Sequence, residues 1–459
     1  MNATTTGTQD ARTAIAGLNA RIDRLPTWGL SVGIFFIVGI SYFFAFYDIS
    51  TISFTLPELT KLFGLSGIWL ALPVTMNLLG YVIGSYVLGS VADWLGRRTT
   101  LLITVVVLTI GGILTALSWN GLSLTIFRFI TGLGTGAELS IAATILTEFS
   151  PRRMRGRYLQ FNYLWGAFGL AVTPFVAIAL LNVPSLGWRL VFLVGAVVAF
   201  VSIFLRGRFL PESPRWLVLK GHYGEAEQLV QEMERRAEER SRQPLPPVPE
   251  VPPEEEGSGF PTLQLFRKPY LARMIVTLAF WAFWYVTVYA YLGYEPTLLI
   301  HMGLSTPNGL LFSALSDIAI PVGAVVALII VELWQRKFWV ALVAFVYTAA
   351  LLLMAISFNS VELFIGAFFS SMMVAANSLA YVYTAEAFPT RVRATATSVG
   401  DGIGHLGGVV APFIVVAALA GVGARSTFVV MAAFCLVSGL IIVFGGIRTT
   451  KRALTRIAQ

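Results

Sequence analysis

The sequence is poor in charged residues and almost without cysteine. Only 12% of its 459 residues are charged, whereas a soluble globular protein has about 25%. Because 56% are hydrophobic, a chain of this length cannot bury its apolar surface in one water-soluble core and needs lipid as its solvent. The single cysteine, Cys435, excludes an intramolecular disulfide. Phosphate-binding, H-E-x-x-H and G-x-S-x-G motifs are also missing, so nothing in the sequence indicates an enzyme.

Long apolar runs fill most of the chain instead. A membrane-spanning helix needs about 20 apolar residues, and continuous rather than alternating apolar runs exclude a β-barrel. We therefore predict an all-α membrane protein with twelve transmembrane helices. The predicted spans are 29–54, 69–92, 99–118, 122–148, 158–182, 188–206, 270–295, 309–331, 338–357, 361–387, 394–420 and 426–447.

Lysine and arginine are unevenly distributed among the connecting segments. If the N-terminus lies in the cytoplasm, the segments on that side carry 28 of the 32 lysines and arginines. Such enrichment is typical of cytoplasmic loops, so we predict a multi-pass protein of the cytoplasmic (plasma) membrane with both termini cytoplasmic. The same distribution explains the net charge of +8 without a nucleic-acid-binding surface.

Three landmarks recur at a nearly constant offset. DWLGRR at 93–98 is matched by ELWQRK at 332–337, EFSPRRMRG at 148–156 by EAFPTRVRA at 386–394, and the Pro-Phe pair at 174 by one at 412. These offsets indicate two pseudo-symmetric six-helix bundles, a parallel repeat about an axis along the membrane normal. The predicted domains are a cytoplasmic N-terminal segment 1–28, a bundle 29–206, a cytoplasmic linker with short helices 207–269, a second bundle 270–447 and a cytoplasmic tail 448–459.

Acidic and basic residues recur together at the cytoplasmic ends of both predicted bundles. Arginines alone would explain the topology, but acids at matched positions add nothing to the positive-inside bias. We therefore predict a charge latch that holds the bundles together on the cytoplasmic side and opens as they rock. Its predicted residues are Asp93, Arg97, Glu148, Arg155, Glu332, Arg336, Glu386 and Arg393.

These motifs carry a resemblance to a known family. GSVADWLGRR at 89–98 resembles the signature between helices 2 and 3 of the major facilitator superfamily. RFITGLGTGAE, EFSPRRMRGR and PESPRWL are similar to its branch of sugar porters, organic cation transporters and metabolite:proton symporters. YTAEAFPTRVRATA at 383–396 and YLGYEPTLL at 291–299 most resemble the aromatic acid and nicotinate-type proton symporters. The resemblance covers residues 29–447 and implies an alternating-access transporter.

Two motifs depart from the family pattern. The double glutamine that sugar porters carry on helix 7 is replaced here by FWAFWYVTVYAYLGY, which argues against a sugar. The D-G-Y-D motif of aromatic acid symporters reads Ala45-Phe46-Tyr47-Asp48, so only its second aspartate is present.

Asp48 and Arg128 are ionisable residues inside predicted spans, where such groups are unfavourable and usually functional. We predict that they pair as a proton switch, in which Asp48 stays ionised beside Arg128 and takes a proton when the arginine moves away. In the proton-coupled sugar porters that the chain resembles, the matching pair serves proton coupling. The alternative is a static ion pair between the first and fourth helices.

Glu138 is a third ionisable residue inside a predicted span. We predict it either as a second proton-coupling site or as a hydrogen-bonding partner of a neighbouring helix, and the sequence favours neither. The glycines before it, in GLGTG, superficially resemble a nucleotide-binding loop. Since no strand precedes them, we predict close helix packing instead.

Aromatic and polar side chains on other spans are predicted to bind the solute. Trp281, Tyr285 and Tyr289 recur every fourth residue and share one helical face, although packing is the common role of such a stripe. His405 shares a face with Asp401; the histidine can titrate near neutral pH, whereas we expect Asp401 to be partly hydrated. No third ligand is suitably spaced for a metal. The predicted solute-binding residues are Tyr47, Asn77, Arg128, Trp281, Trp284, Tyr285, Tyr289, Asn377, Tyr381 and His405.

The sequence as a whole predicts a secondary active transporter. We expect proton-coupled symport of a small organic solute, a carboxylate or aromatic metabolite, by alternating access. It needs no cofactor because the proton gradient drives it, and its partners are the lipid bilayer, the solute and protons, with the protein acting as a monomer. The alternatives are a sugar or organic-cation carrier, an exporter, or a nutrient receptor that binds without transporting.

Overall fold

Long apolar helices make up most of the protein, as seen in a computed structural model that describes residues 14–249, 261–330, 333–388 and 390–449. Eleven helices in these ranges are long and apolar enough to cross a membrane, and the last, Thr390–Gly445, is two helices divided at Gly423, whose φ is 82°. The described residues therefore contain twelve spans, as predicted. The first ten are α1 Val32–Phe63, α2 Ile68–Leu95, α3 Arg97–Ala116, α4 Gly121–Phe149, α5 Arg155–Leu181, α6 Gly187–Phe209, α7 Leu271–His301, α8 Thr306–Ile330, α9 Arg336–Ile356 and α10 Ser360–Glu386, and α11 and α12 lie before and after Gly423.

Some helices extend beyond their predicted bounds. Helix α1 continues to Phe63 rather than residue 54, through a segment that includes Glu58 and Lys61, and ends at Gly64 in the left-handed conformation with φ 61°. Hydropathy indicates where a helix leaves the apolar layer. The helical hydrogen bonds can continue beyond that point until a capping residue such as Gly64 ends the helix. Helix α7 likewise runs to His301 rather than 295.

The glycines of GLGTG bring α4 against two neighbours. A Cβ at Gly132 would lie 2.0 Å from the carbonyl oxygen of Asn77, and one at Gly136 would lie 2.0 Å from that of Tyr81, both on α2. A Cβ at Gly134 would approach the α3 backbone at Leu108 to 2.7 Å. The predicted role in close helix packing is confirmed, since only a residue without a side chain fits here.

Gly96 in the DWLGRR motif sits at the sharp connection between α2 and α3. Its φ is 100°, a conformation that favours glycine, and a Cβ there would also displace the Glu212 carboxylate, which lies 2.3 Å from that position. The Glu212 carboxylate accepts hydrogen bonds from the backbone N–H groups of Arg97, at 2.8 Å, and Arg98, at 3.2 Å. It therefore binds the first turn of α3, where the helix dipole favours negative charge.

The linker forms a helix that docks on the segment before α1. Helix Tyr223–Ser241 buries Ala226, Val230, Met233 and Ala237, spaced three or four residues apart on one face. They pack with side chains of the segment 14–30, part of which is helical. This helix lies within 207–269, where the sequence predicts short helices. Much of the Pro- and Glu-rich stretch that follows it lies outside the described residues.

We call the helix ends that carry the basic motifs inner and the opposite ends outer, in line with the predicted topology. The first half of the molecule comprises α1–α6 and the second half α7–α12. On the outer side, the Tyr294 hydroxyl of α7 donates to the carbonyl oxygen of Leu70 on α2 at 3.1 Å. Lys61 of α1 lies 3.2 Å from the Thr306 hydroxyl of α8. The two halves are thus joined at their outer ends in this conformation.

Candidate functional site

Asp48 and Arg128 form a buried ion pair between α1 and α4. Arg128 Nη1 lies 2.8 Å from Asp48 Oδ1, its Nη2 donates to the Asp48 carbonyl oxygen at 3.2 Å, and the arginine is fully buried. The other carboxylate oxygen, Oδ2, is buried without a hydrogen-bond partner. The sequence correctly brings these two residues together, and the structure adds that one oxygen remains free.

Asn77 and Tyr47, which were predicted to bind the solute, instead make hydrogen bonds between helices of the first half. Asn77 on α2 donates from Nδ2 to the Arg128 carbonyl oxygen at 3.1 Å, so it braces α4 at the level of the ion pair. Tyr47 donates to the carbonyl oxygen of Val191 on α6 at 2.9 Å and is 1% exposed. Both side chains are thus occupied by helix–helix contacts in this conformation.

Glu138 is paired with Arg206, a residue that the sequence places at the inner end of α6. Arg206 Nη1 donates to Glu138 Oε2 at 2.9 Å and Nη2 to Oε1, and both residues are fully buried. Thr104 of α3 donates to Oε2 at 2.7 Å. Both carboxylate oxygens are therefore satisfied, which agrees with the hydrogen-bonding alternative for Glu138; its role in proton coupling remains a prediction. Arg206 was missed because it stands at the end of a predicted span, beside linker arginines.

Asp401 lies at the centre of an aromatic cluster in the second half. The hydroxyls of Tyr285 on α7 and Tyr381 on α10 both donate to its Oδ1, Tyr381 at 2.6 Å. His405 lies one turn further along α11, with Nδ1 3.5 Å from the same oxygen and 2.8 Å from the Asp401 carbonyl oxygen. The Asp401 side chain keeps 25% exposure whereas His405 keeps 3%. Asp401, which we expected to be partly hydrated, thus also accepts hydrogen bonds from two of the predicted solute-binding tyrosines.

The same cluster reaches the first half of the molecule. The His405 ring stacks on Tyr81 of α2, with centroids 4.6 Å apart and planes 17° apart, and lies 4.0 Å from the Tyr285 ring. The Tyr289 ring centroid lies 5.6 Å from the rings of both Tyr285 and His405, and Trp281 stacks on Tyr285 at 5.1 Å. Tyr81 was missed by sequence reasoning, since a tyrosine in an apolar run has no distinguishing local signal. The cluster is where side chains of both halves meet.

Trp284 and Asn377 lie beside this cluster without joining it. Trp284 turns to the other face of α7, where it stacks on Phe280 at 6.0 Å and packs edge-on against Tyr347 at 5.8 Å. Asn377 interrupts α10 between Ala376 and Ser378, and its Oδ1 is buried without a partner. Trp281, Tyr285 and Tyr289 thus share one face, as their spacing predicts, whereas the structure places Trp284 on another.

The charged residues of the predicted latch pair within each half. In the first half, Arg97 lies 2.8 Å from Asp93 and 3.4 Å from Glu148. In the second half, Arg336 lies 3.3 Å from Glu386. These pairs join helices of one bundle rather than the two bundles, because motif and partner stand at adjacent helix ends of the same repeat.

Three further residues were assigned to that latch. Arg155 pairs with Asp23, before α1, at 2.7 Å, where burial raises the pKa of Asp23 despite the guanidinium. Arg393 donates to the carbonyl oxygen of Phe388 at 3.4 Å. Glu332 lies outside the described residues. The ion pairs described for the predicted latch residues thus lie within one half each or reach the segment before α1, in a conformation that is joined on the outer side.

Two buried carboxyl groups escaped the sequence analysis. Glu295 on α7 is 3% exposed and Asp317 on α8 is 4% exposed. Asp317 lies inside the predicted span 309–331 and Glu295 ends the span 270–295, so the rule that flagged Asp48 would also have flagged them. Among the described residues, no three His, Cys, Asp or Glu side chains group as metal ligands.

Comparison with known proteins gives a consistent result. Residues 35–459 match the family described as "Sugar (and other) transporter". The inner membrane metabolite transport protein YdjE of Escherichia coli is 28% identical over 96% of this chain and 98% of its own. The niacin transporter NiaP of Acinetobacter baylyi is 27% identical over 96% and 99%. Among solved structures, a D-xylose-proton symporter superposes with a TM-score of 0.73 at 20% identity, covering 92% and 99%.

Proposed function

Since the chain belongs to the sugar (and other) transporter family of the major facilitator superfamily, whose members are membrane transporters rather than enzymes, we propose that it carries out proton-coupled symport of a small organic solute. The solute class that we propose is a carboxylate or aromatic metabolite, and the niacin transporter among the relatives supports it. We propose import across the plasma membrane by a monomer with both termini in the cytoplasm. The proton gradient supplies the driving force, with no cofactor.

The free oxygen of Asp48 is the observation that carries proton coupling. A static Arg–carboxylate pair in a dry site is most stable when both oxygens are bound, as they are in Glu138–Arg206. Asp48 uses one oxygen for Arg128 and leaves the buried Oδ2 without a partner. That oxygen can receive a proton without breaking any other contact. When the halves rock and Arg128 withdraws, burial disfavours the negative charge, and the carboxylate takes the proton.

The aromatic cluster supports a planar solute. Tyr285, Tyr289 and Trp281 present ring faces beside the junction of the two halves, and stacking on such faces binds planar ligands. Alternating access requires the solute to contact both halves, and Tyr81 stacked on His405 marks a place where they meet. A solute that binds between Tyr81 and His405 would replace their stacking contact. It would then be accessible from the side on which the two halves are separated.

One observation favours a second candidate, a cationic solute. Asp401 is the acid within this cluster. Its Oδ1 accepts hydrogen bonds from the hydroxyls of Tyr285 and Tyr381, whose rings pack against Trp281. A carboxylate beside aromatic faces is the usual chemistry for a positively charged nitrogen. An organic-cation carrier is therefore the alternative that the geometry supports.

Uptake into liposomes tests both proposals. Purified protein is given an imposed pH gradient and a panel of carboxylates, amines and sugars. We expect accumulation of an aromatic carboxylate, and Asp48→Asn should abolish gradient-driven accumulation but keep solute exchange, since only the coupling step is lost. Glu58→Gln, ten residues further along α1, is the matched control and should transport normally. Normal accumulation by Asp48→Asn would refute the proton assignment, and a response to amines or sugars alone would refute the carboxylate.

A further inference from the structure

Glu295 and Asp317 are two carboxyl groups connected through hydroxyls inside the second half. The Tyr291 hydroxyl lies 3.1 Å from Glu295 Oε1 and 3.0 Å from Ser371 Oγ, and Ser371 donates to Asp317 Oδ1 at 2.8 Å. This chain of contacts joins α7, α10 and α8. In the described part of the protein, neither carboxyl group has a lysine, arginine or histidine as an ion-pair partner, and the groups that face them are each other, Tyr291, Tyr347, Ser313 and Ser371.

The hydrogen atoms in this chain are too few for its contacts. Tyr291 also lies 3.1 Å from the carbonyl oxygen of Ala367, so four short contacts connect the two acids, two hydroxyls and one carbonyl. Tyr291 and Ser371 supply one hydrogen atom each, and ionised carboxylates supply none. A proton on either acid adds a donor where one is missing.

Two buried hydroxyls beside the acids lack a well-aligned hydrogen bond. Ser313 Oγ faces the Glu295 carboxylate as a hydrogen-bonding neighbour without good alignment, and it is fully buried. The hydroxyl of Tyr347 is also fully buried and without a partner, and its ring packs edge-on against Tyr291 with centroids 6.0 Å apart. Each hydroxyl can donate or accept a hydrogen bond, so both can respond to a change in the protonation of the two acids.

The electrostatics favour one negative charge rather than two. Two ionised carboxylates in an apolar interior repel each other, and each loses its hydration without a cation to compensate. A single proton shared through Tyr291 and Ser371 removes one charge and adds the missing donor. Proton binding here belongs to the pair rather than to either residue.

The pair also lies next to the contact that joins the halves on the outer side. Tyr294, the residue before Glu295, donates to Leu70 of the first half. Thr306, at the start of the helix that carries Asp317, lies beside Lys61 of the first half. Separation of the halves at their outer ends would therefore act on the two helices that carry these acids.

We propose that Glu295 and Asp317 form a second proton-binding site, which keeps one shared proton while the outer side is closed and exchanges it with the outside when that side opens. This inference rests on the proposed proton coupling and extends it, because Asp48 then serves one half of the molecule and this pair serves the other. Helix α7 connects this pair to the aromatic cluster, because it carries both Tyr285 and Glu295.

Infrared difference spectroscopy of the purified protein in lipid tests this site without relying on transport. At neutral pH we expect the carbonyl stretch of a buried protonated carboxyl group. The double variant Glu295→Gln, Asp317→Asn should lose that band, and Tyr291→Phe, which keeps both acids, should shift its frequency. Tyr291→Phe also provides a result if the double variant fails to fold. Glu362→Gln, a partly exposed acid in the first turn of α10, is the control and should leave the band unchanged.

Asp48→Asn separates this inference from the proposed function. We expect it to keep the band while losing driven uptake, so that failure of either assignment is visible alone. A band that persists in the double variant and does not shift in Tyr291→Phe would overturn the inference. Loss of the wild-type band on addition of Na⁺ at constant pH would also overturn it, because the occupant would then be a metal cation.

Discussion

The two halves of the molecule treat buried acids differently. In the first half each of two intramembrane carboxylates faces an arginine: Asp48 faces Arg128, and Glu138 faces Arg206. In the second half, three described carboxylates within the spans face hydroxyl groups instead. Their partners are Tyr285 and Tyr381 for Asp401, Tyr291 for Glu295, and Ser371 for Asp317.

This difference contrasts with the similarity of the helix ends. Arg98 donates to the carbonyl oxygen of Gly207, and Lys337, at the equivalent position, donates to that of Gly446. The side chain of Asn120 accepts from the third backbone N–H of α4, and Asn359 does the same for α10. Contacts that fix helix geometry are thus retained in both repeats, whereas the polar chemistry between the helices has diverged.

The contrast suggests a division of labour. A carboxylate paired with arginine stays ionised until the pair separates. In the first half, a movement that separates the pair therefore changes the protonation of the carboxylate. A carboxylate that faces hydroxyls has no fixed compensating charge and responds to a proton or a cationic ligand. Proton coupling and solute recognition can therefore be adjusted separately in the two halves of the molecule.

The largest effect is expected from breaking the first-half pair that is fully buried. Arg206→Met leaves Glu138 uncompensated, and breaking a buried ion pair by removing one partner costs about 3–5 kcal/mol. We expect a marked fall in the thermal unfolding temperature in detergent. The double variant Arg206→Met, Glu138→Gln should recover most of the loss, whereas Asp401→Asn should have a smaller effect. Equal destabilisation by Arg206→Met and Asp401→Asn would remove the contrast between the halves.

An intermediate effect is expected from removing a hydroxyl in the second half. Tyr381→Phe deletes one donor to Asp401, and a hydrogen bond to a charged group contributes about 1.5–3 kcal/mol. We expect solute affinity, measured by titration of the purified protein with the transported compound, to fall at least tenfold, as about 1.4 kcal/mol corresponds to a factor of ten. Tyr383→Phe, whose hydroxyl contacts the backbone of Ile447, is the matched control. Equal loss in both variants would mean that helix packing, not Asp401, is affected.

The smallest effect is expected outside the membrane, where the linker helix also pairs an acid with arginine. Arg21 contacts Glu227 of the linker helix at 2.7 Å, and this hydrogen bond keeps the pKa of Glu227 below its ordinary value of 4.5. The resulting stabilisation is present above that value and is lost as the pH falls through the lowered folded-state pKa. Since such exposed pairs contribute about 0–1 kcal/mol, hydrogen exchange at residues 14–23 should rise only modestly on acidification.

A matched variant identifies the cause of that rise. Glu227→Gln should raise exchange at neutral pH and remove the part of the pH dependence that comes from this pair, since Arg21 also contacts Glu234 at 2.6 Å. Exchange that is insensitive to both the variant and the pH would show that apolar packing alone docks the linker helix.

Much of the architecture could be predicted from the sequence. The number of spans follows from apolar runs, and the repeat follows from motifs at a constant offset. The Asp48–Arg128 pair was predictable because ionisable residues inside spans are rare and these two carry opposite charge. Glu295 and Asp317 could have been found by the same rule, whereas Tyr81 and the partner of Glu138 could not, because their contacts depend on how neighbouring helices are rotated.

What the sequence determined by itself is therefore local: which segments are apolar enough to cross lipid, which ends carry positive charge, and where glycine lets helices approach. Three contacts were decided by the tertiary structure alone. Arg206 pairs with Glu138, latch residues pair within each half, and the hydroxyls of two tyrosines donate to Asp401. The physical reason is that hydropathy acts through each segment's own transfer from water to lipid. Pairing between helices instead depends on the rotation and packing that let residues 68 to 116 positions apart share one buried space.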